Sequence, residues 1–246
     1  KPTYERISRS GVIPLAPSID HVGPFATNVA DAELAAAVLV QDWTPVKNHK
    51  HRLRPRLGIP SGPYLKHTSQ EIEEQFGAIC NHILNCGLDI RSIQAMPDFD
   101  DIQARHNLIL AAEAARVHAK WFARYEELYN LKTAKLIQHG AAISDTDLQD
   151  ALQGREKLRN ELTDLMNDYD IDLWISPSAT GPAPNGLTNT GDPVMNLPWT
   201  HSGLPTLGLP CGTSDSGLPL GLQLAARYRA DEMLFLWAAQ IEEVLW

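Results

Sequence analysis

Apolar and polar positions along the chain alternate between two periods. Residues 68–87 place Ile72, Phe76, Ile79, Cys80, Ile83 and Leu84 at three- and four-residue intervals. This predicts an amphipathic helix, with Thr68 and Glu71 as its capping box and Gly87 as its stop. The flanking stretches "RLGIP" and "LDIRSIQ" read as strands. Residues 56–94 therefore form a strand–helix–strand unit, parallel with a crossover helix. Helical periodicity returns over about 100–130 and again over 144–169, the latter behind the cap Ser144 with Asp147 and with Leu148, Leu152, Leu158, Leu162, Leu165 and Met166 on one face.

"NVADAELAAAVLVQDW" has Asn28 as cap, Asp31 and Glu33 in its first turn, and continuous apolar filling, which predicts a buried helix. "IDLWISPSATGPAP" reads as a buried strand running into a long Pro- and Gly-rich loop, and loops at strand ends are where α/β proteins place their sites. "PTLGLPCG" and "LPLGLQLAA" are two further strands joined by the turn "TSDSG". The last element, "DEMLFLWAAQIEEVLW", is a helix with Asp231 at its start and Met233, Trp237, Ile241, Val244 and Leu245 inward. The fold class expected is α/β, a mixed β-sheet covered by helices on both faces, without internal repeats.

Composition narrows the function classes. The chain of 246 residues is 43% hydrophobic and 21% charged, an ordinary globular balance, and no stretch approaches the roughly 20 apolar residues of a membrane span. A net charge of −9 disfavours nucleic acid as a partner. The basic run over 44–56, with five Lys or Arg and two His, lacks interleaved aromatics and reads as a solvated loop. Three cysteines, Cys80, Cys86 and Cys211, fit no disulfide framework and suit a reducing, cytoplasmic setting. No metal site is expected from "CNHILNC", because Cys80 and His82 point to different faces of a helix.

Candidate chemistry is sparse. Ser216 lies in an Asp-Ser-Gly that resembles a serine-protease nucleophile turn, but its setting between two apolar strands predicts a hairpin. His118 and Glu113 are five apart on one helix and do not share a stripe. In "NLPWTHSGLP", Pro198 and Pro205 stiffen a loop carrying Asn196, Trp199, Thr200 and His201. Polar groups beside a large aromatic suit a small-molecule pocket, so these four are the candidate substrate-binding residues. No cofactor motif is present.

Two blocks together resemble the amidase signature family. The opening "KPTYERISRSGVIPLAPSIDHVGPFATNVADAELAAAVL" is similar to that family's K-P-T-x-G-R, S-x-D-x-x-G-P and acidic helix start. "DLWISPSATGPAP", followed by "NLPWTHSGLPTLGLPCGTSDSGLPLGLQLAA", is similar to its D-x-x-x-x-P strand end, its N-x-x-G-L-P segment and its G-L-P-x-G-x-Q closing strand. The second block also has a physical reading: Gly217 makes the turn, Pro219 begins a strand, and Gly221 admits another backbone element.

The resemblance implies hydrolysis of carboxamides by a Ser–Ser–Lys triad, beside a Gly- and Ser-rich segment that supplies oxyanion donors. In the family those residues precede K-P-T, so none is expected within this chain; Lys1 is the K-P-T lysine, not the catalytic one. Residues 1–246 are thus expected to be the C-terminal portion of one amidase-signature-like domain, incomplete at its N-terminal side. The expected partners are a small-molecule amide and the N-terminal part of the same fold, and the piece alone is expected to be inactive and insoluble or oligomeric. Apolar character around Trp199 suits an apolar or aromatic acyl group, and "NLPWTHSG" looks more like the free-standing amidases than the related amidotransferase subunit. Glu5 stands where the family has Gly, which predicts altered geometry there.

Overall fold

The computed structural model describes residues 1–46 and 54–245. The central part of the basic run, residues 47–53, lies outside them. Helix α1 (Val29–Leu39) follows an irregular opening segment; β1 (Arg56–Ser61), α2 (Gln70–Asn85) and β2 (Asp89–Gln94) come next. Then come α3 (Phe99–Tyr125), α4 (Leu131–Gly140), α5 (Asp145–Asp168), β3 (Leu173–Pro177), α6 (Leu197–Ser202), β4 (Thr206–Thr213), β5 (Pro219–Ala225) and α7 (Asp231–Leu245). The strands form one mixed sheet in the order β2-β1-β3-β5-β4. β1 runs parallel to β2 and β3, while β5 is antiparallel to β3 and β4.

Strand alternation divides the core. Leu173 and Ile175 of β3 and Leu222 and Leu224 of β5 face α2 and α7, whereas Trp174 packs under α3, α5 and α6 with Phe99, Leu158, Leu162 and Trp199. Helices therefore cover both faces. Among the described residues no helix is long and apolar enough to cross a membrane.

Several local expectations need correction. The cap of α2 is Ser69, whose hydroxyl accepts from Ile72 N, because Thr68 Oγ1 is already given to the Leu65 carbonyl of the preceding 3-10 turn. Helix α1 keeps its Asn28 cap but is not buried: only Val29 and Ala36 are, while Leu34 and Val38 are 67% and 80% exposed. Apolar residues all around a helix define no single inward face. The stretch over 197–202 is a helix rather than a loop, with Pro198 in its first turn and Gly203 as a left-handed stop. Glu5 itself adopts the left-handed conformation, at φ 69°, a region that a glycine enters more easily than a side-chain-bearing residue.

The opening segment is fastened to the far end of the chain. Asp231 accepts from Thr3 N at 2.7 Å and from Thr3 Oγ1 at 2.6 Å, and it pairs with Arg6 at 3.2 Å. Arg6 also meets Asp42 and Glu232, each at 2.9 Å, and these carboxylates hold its pKa above the ordinary value.

Candidate functional site

Beyond Pro177 the chain crosses the ends of β3 and β5 and leaves a cleft of about 450 Å³. Ser178, Thr180, Thr190, Asp192 and Asn196 supply its polar lining, beside Gly221. The Ser178 amide donates to the Gly221 carbonyl at 2.9 Å, and Asn196 Nδ2 donates to the Ser178 carbonyl at 3.2 Å. Gly221 has a steric duty here: a Cβ on it would stand 2.4 Å from Ser178 Oγ. The nearest approach is thus a side chain, where another backbone element was expected; the Leu209 carbonyl is farther away, at 3.5 Å.

A buried polar network fixes the floor. Tyr64 Oη donates to the Met195 carbonyl at 2.8 Å, accepts from Trp199 Nε1 at 3.2 Å and meets Ser176 Oγ at 3.0 Å. Gln223 Nε2 donates to the same Met195 carbonyl at 3.0 Å. All five residues are buried, and burial raises the Tyr64 pKa so that the phenol stays protonated. Because Met195 immediately precedes Asn196, the network sets where that amide can reach. Sequence reasoning treated the block holding Gln223 as scaffold and did not single out Tyr64; an aromatic after a Gly-Pro pair carries no distinguishing pattern.

The four candidate residues do not converge. Asn196 lines the cleft, exposed, whereas Trp199 is 1% exposed in the core beneath it. Thr200 is half-buried. His201 is fully buried on another face of α6, edge to face with His106 at 5.7 Å between ring centres. The helix itself explains this, since successive residues turn by about 100°. Arg155 Nε donates to the His201 carbonyl at 3.1 Å. Among the described residues, both ring nitrogens of His201, Nδ1 of His106 and one nitrogen each of Arg105 and Arg155 are buried without a well-formed hydrogen bond, although the Gly154 backbone lies close to the His201 ring. Burial, with neighbouring positive charge, lowers His201 to about 3 and His106 to about 4.

The other motifs take structural places. Ser216 sits in the β4–β5 hairpin with Gly217 at φ 78°, and its hydroxyl meets Ser214 Oγ at 2.9 Å. His118 is held by Tyr129 Oη at 2.8 Å and the Pro14 carbonyl at 3.1 Å, while Glu113 accepts from Ser18. Cys80 is buried, which pushes its thiol up to about 12, and His82 Nε2 meets the Val244 carbonyl at 2.8 Å. Among the described residues no group of three His, Cys, Asp or Glu could hold a metal ion. Lys1 Nζ donates to the Leu204 carbonyl, and burial lowers its pKa to about 7.

The cleft can therefore bind a polar, uncharged group through hydroxyls and a carboxamide. Among the described residues its lining holds no Lys or His, and its one ionisable residue is Asp192, whose carboxylate accepts from the Val194 amide at 2.9 Å. A serine hydroxyl without a base is a weak nucleophile.

Comparison with known proteins agrees with this architecture. The chain is similar to the A-type subunit of glutamyl-tRNA(Gln) amidotransferase from Synechococcus sp. (strain RCC307), at 27% identity over 99% of the chain and 59% of that protein. The same protein of Prochlorococcus marinus (strain NATL2A) is also 27% identical, with the same coverage. Among solved structures, an amidase superimposes with a TM-score of 0.89 at 25% identity, over all of this chain and 58% of that one. Native peptide amidase from Stenotrophomonas maltophilia shares the fold, with a TM-score of 0.71 at 17% identity, over all of this chain and 57% of that one. The chain thus spans less than two thirds of the relatives it matches. The Amidase family model matches residues 1–235, and the chain belongs to that family, the amidase signature proteins.

Proposed function

We propose that this chain is the substrate-side wall of an amidase that hydrolyses carboxamide C–N bonds to a carboxylate and an amine or ammonia. The observation that carries the reading is a hydroxyl- and amide-lined cleft, without Lys or His among its described lining residues, on an amidase fold. In such a reaction a serine oxygen attacks the carbonyl carbon, the C–N bond breaks as the nitrogen takes a proton, and water then releases the acyl group. The reacting serine, its partner serine and the lysine base are assigned to sequence outside residues 1–246. Asn196, with Ser178, meets the amide; Trp199 holds Asn196 in place through Tyr64 and Met195; Thr200 and His201 fix α6 behind them.

The test is ammonia release from glutamine, propionamide and benzamide by this chain and by the longest product of its gene. Hydrolysis by the longer product alone is expected, with labelling by a serine-directed phosphonate. Turnover by the 246-residue chain alone, or by neither protein, would overturn the reading. A second reading, as part of an amidotransferase, is favoured by the names of the curated relatives. Glutamine as the sole accepted amide, with activity dependent on a co-purifying protein, would select it.

A further inference from the structure

The junction of α3, α5 and α6 concentrates donors and positive charge around one enclosed ring. His201 is fully buried, and neither of its ring nitrogens makes a well-formed hydrogen bond. Among the described residues the same holds for Nδ1 of His106, Nε of Arg105 and Nη2 of Arg155. Buried polar groups are nearly always satisfied, so several unsatisfied ones in one place point to a further partner, water or an ion.

Gly154 shows how closely these groups approach one point. It lies inside α5, where a glycine weakens the helix. A Cβ there would stand 2.8 Å from Arg105 Nε and 3.6 Å from His201 Nε2, so the missing side chain lets a donor of α3 and the ring of α6 meet against α5. His106 closes in edge to face with His201, and Arg155 reaches over from α5 to the His201 carbonyl.

The surrounding charges decide the sign of the partner. Arg105 gives Nη2 to Asp98 at 3.2 Å, and Asp98 also lies 4.0 Å from Lys157. Arg155 forms no ion pair among the described residues, and its guanidinium lies over the Tyr4 ring at 4.6 Å. Arg159 opposes its charge, while Glu113, the carboxylate that favours it, is taken up by Ser18. One guanidinium charge is left uncompensated in a half-buried place, and buried charges are ordinarily paired. Water would answer the donors alone; an anion answers both the donors and the charge.

We propose that this junction binds one small monovalent inorganic anion, of the size of chloride, with Arg105 Nε, Arg155 Nη2 and the His201 ring as its donors. The size follows from the full burial of His201, and the charge from the single unpaired guanidinium. A neutral imidazole offers one N–H and a protonated one offers two, so anion and proton stabilise each other at this ring. Burial and neighbouring positive charge otherwise keep His201 and His106 neutral, which makes the coupling stronger as pH falls. The proposal stands independently of amide hydrolysis.

The experiment measures the melting temperature of the 246-residue chain as sodium chloride replaces sodium gluconate at constant ionic strength. A saturable rise is expected, about 3–6 °C at ten times the half-saturating concentration. The half-saturating chloride concentration should fall about 3-fold or more between pH 6.5 and 5, which screening by salt alone would not produce. His201→Phe and Arg155→Met should each abolish the saturable rise. A bromide-grown crystal gives a second readout that needs no variant: an anomalous peak is expected within hydrogen-bonding reach of Arg105, Arg155 and His201. Equal melting in chloride and gluconate, a rise that ignores pH or survives in both variants, or water alone among these side chains in the bromide crystal would each overturn the proposal.

Discussion

Helix α6 presents two buried polar surroundings a few residues apart, and they obey opposite rules. On one side Trp199 joins Tyr64, Ser176, Met195 and Gln223 in a network where each donor named has an acceptor. On the other, His201 stands beside His106, Arg105 and Arg155, and among the described residues five ring and guanidinium nitrogens lack a well-formed hydrogen bond. A satisfied network in a low-dielectric interior specifies one geometry; an unsatisfied cluster costs stability and responds to protons. The cleft is built on the first kind, which keeps Asn196 in register, while the second kind lies behind it.

The comparison can be broken most forcefully at Trp199. Trp199→Ala should lower stability by about 3–5 kcal/mol, because it opens a cavity and leaves the network short of a donor; denaturant midpoints at constant slope measure this. Tyr64→Phe removes one oxygen and should cost about 1–3 kcal/mol. It should also loosen the cleft, seen as faster amide exchange at Asn196.

The second surroundings should reveal themselves through pH. His106 and His201 are held near 4 and 3, below the ordinary 6.5, so the folded protein keeps them neutral where the unfolded chain protonates. The unfolded state then binds more protons, and stability must fall as pH drops below about 6.5, continuing towards 4 and 3, by at most roughly 1.4 kcal/mol per unit for each histidine. Melting temperatures between pH 7.5 and 4.5 test the sign. The smallest effect is expected of His201→Phe, within about 1 kcal/mol at pH 7, since an apolar ring needs no partner. The variant should melt with a flatter pH dependence than the parent, and an unchanged slope would remove His201 from the account.

The same contrast explains what could be read from the sequence. Long periodic elements were legible: the parallel β1–α2–β2 unit, the Ser144 cap of α5 and the β4–β5 hairpin follow from local pattern. The cleft was legible only in part. Asn196, which lines the cleft, was singled out from the polar stretch it sits in, but Tyr64 reaches Met195 across 131 positions and Gln223 reaches it across 28. No local period encodes such pairs. Trp199 and His201 were read as lying on a loop because two prolines suggested a stiff one, whereas Pro198 sits in the first turn of a helix, where its missing N–H goes unmissed.

The clasp between Thr3, Arg6 and Asp231 also bears on the order in which the molecule can be assembled. Thr3 and its carboxylate partner are 228 positions apart. At roughly 5–20 residues per second, ribosomal synthesis separates their appearance by roughly 10–45 s. Throughout that interval the opening segment has no Asp231 to hold it, while the β1–α2–β2 unit can already form. The outer edge of β4 shares this lateness: Lys1 can settle against Thr206 only after most of the chain exists, so the sheet is completed last on the side away from the early β1–β2 pair.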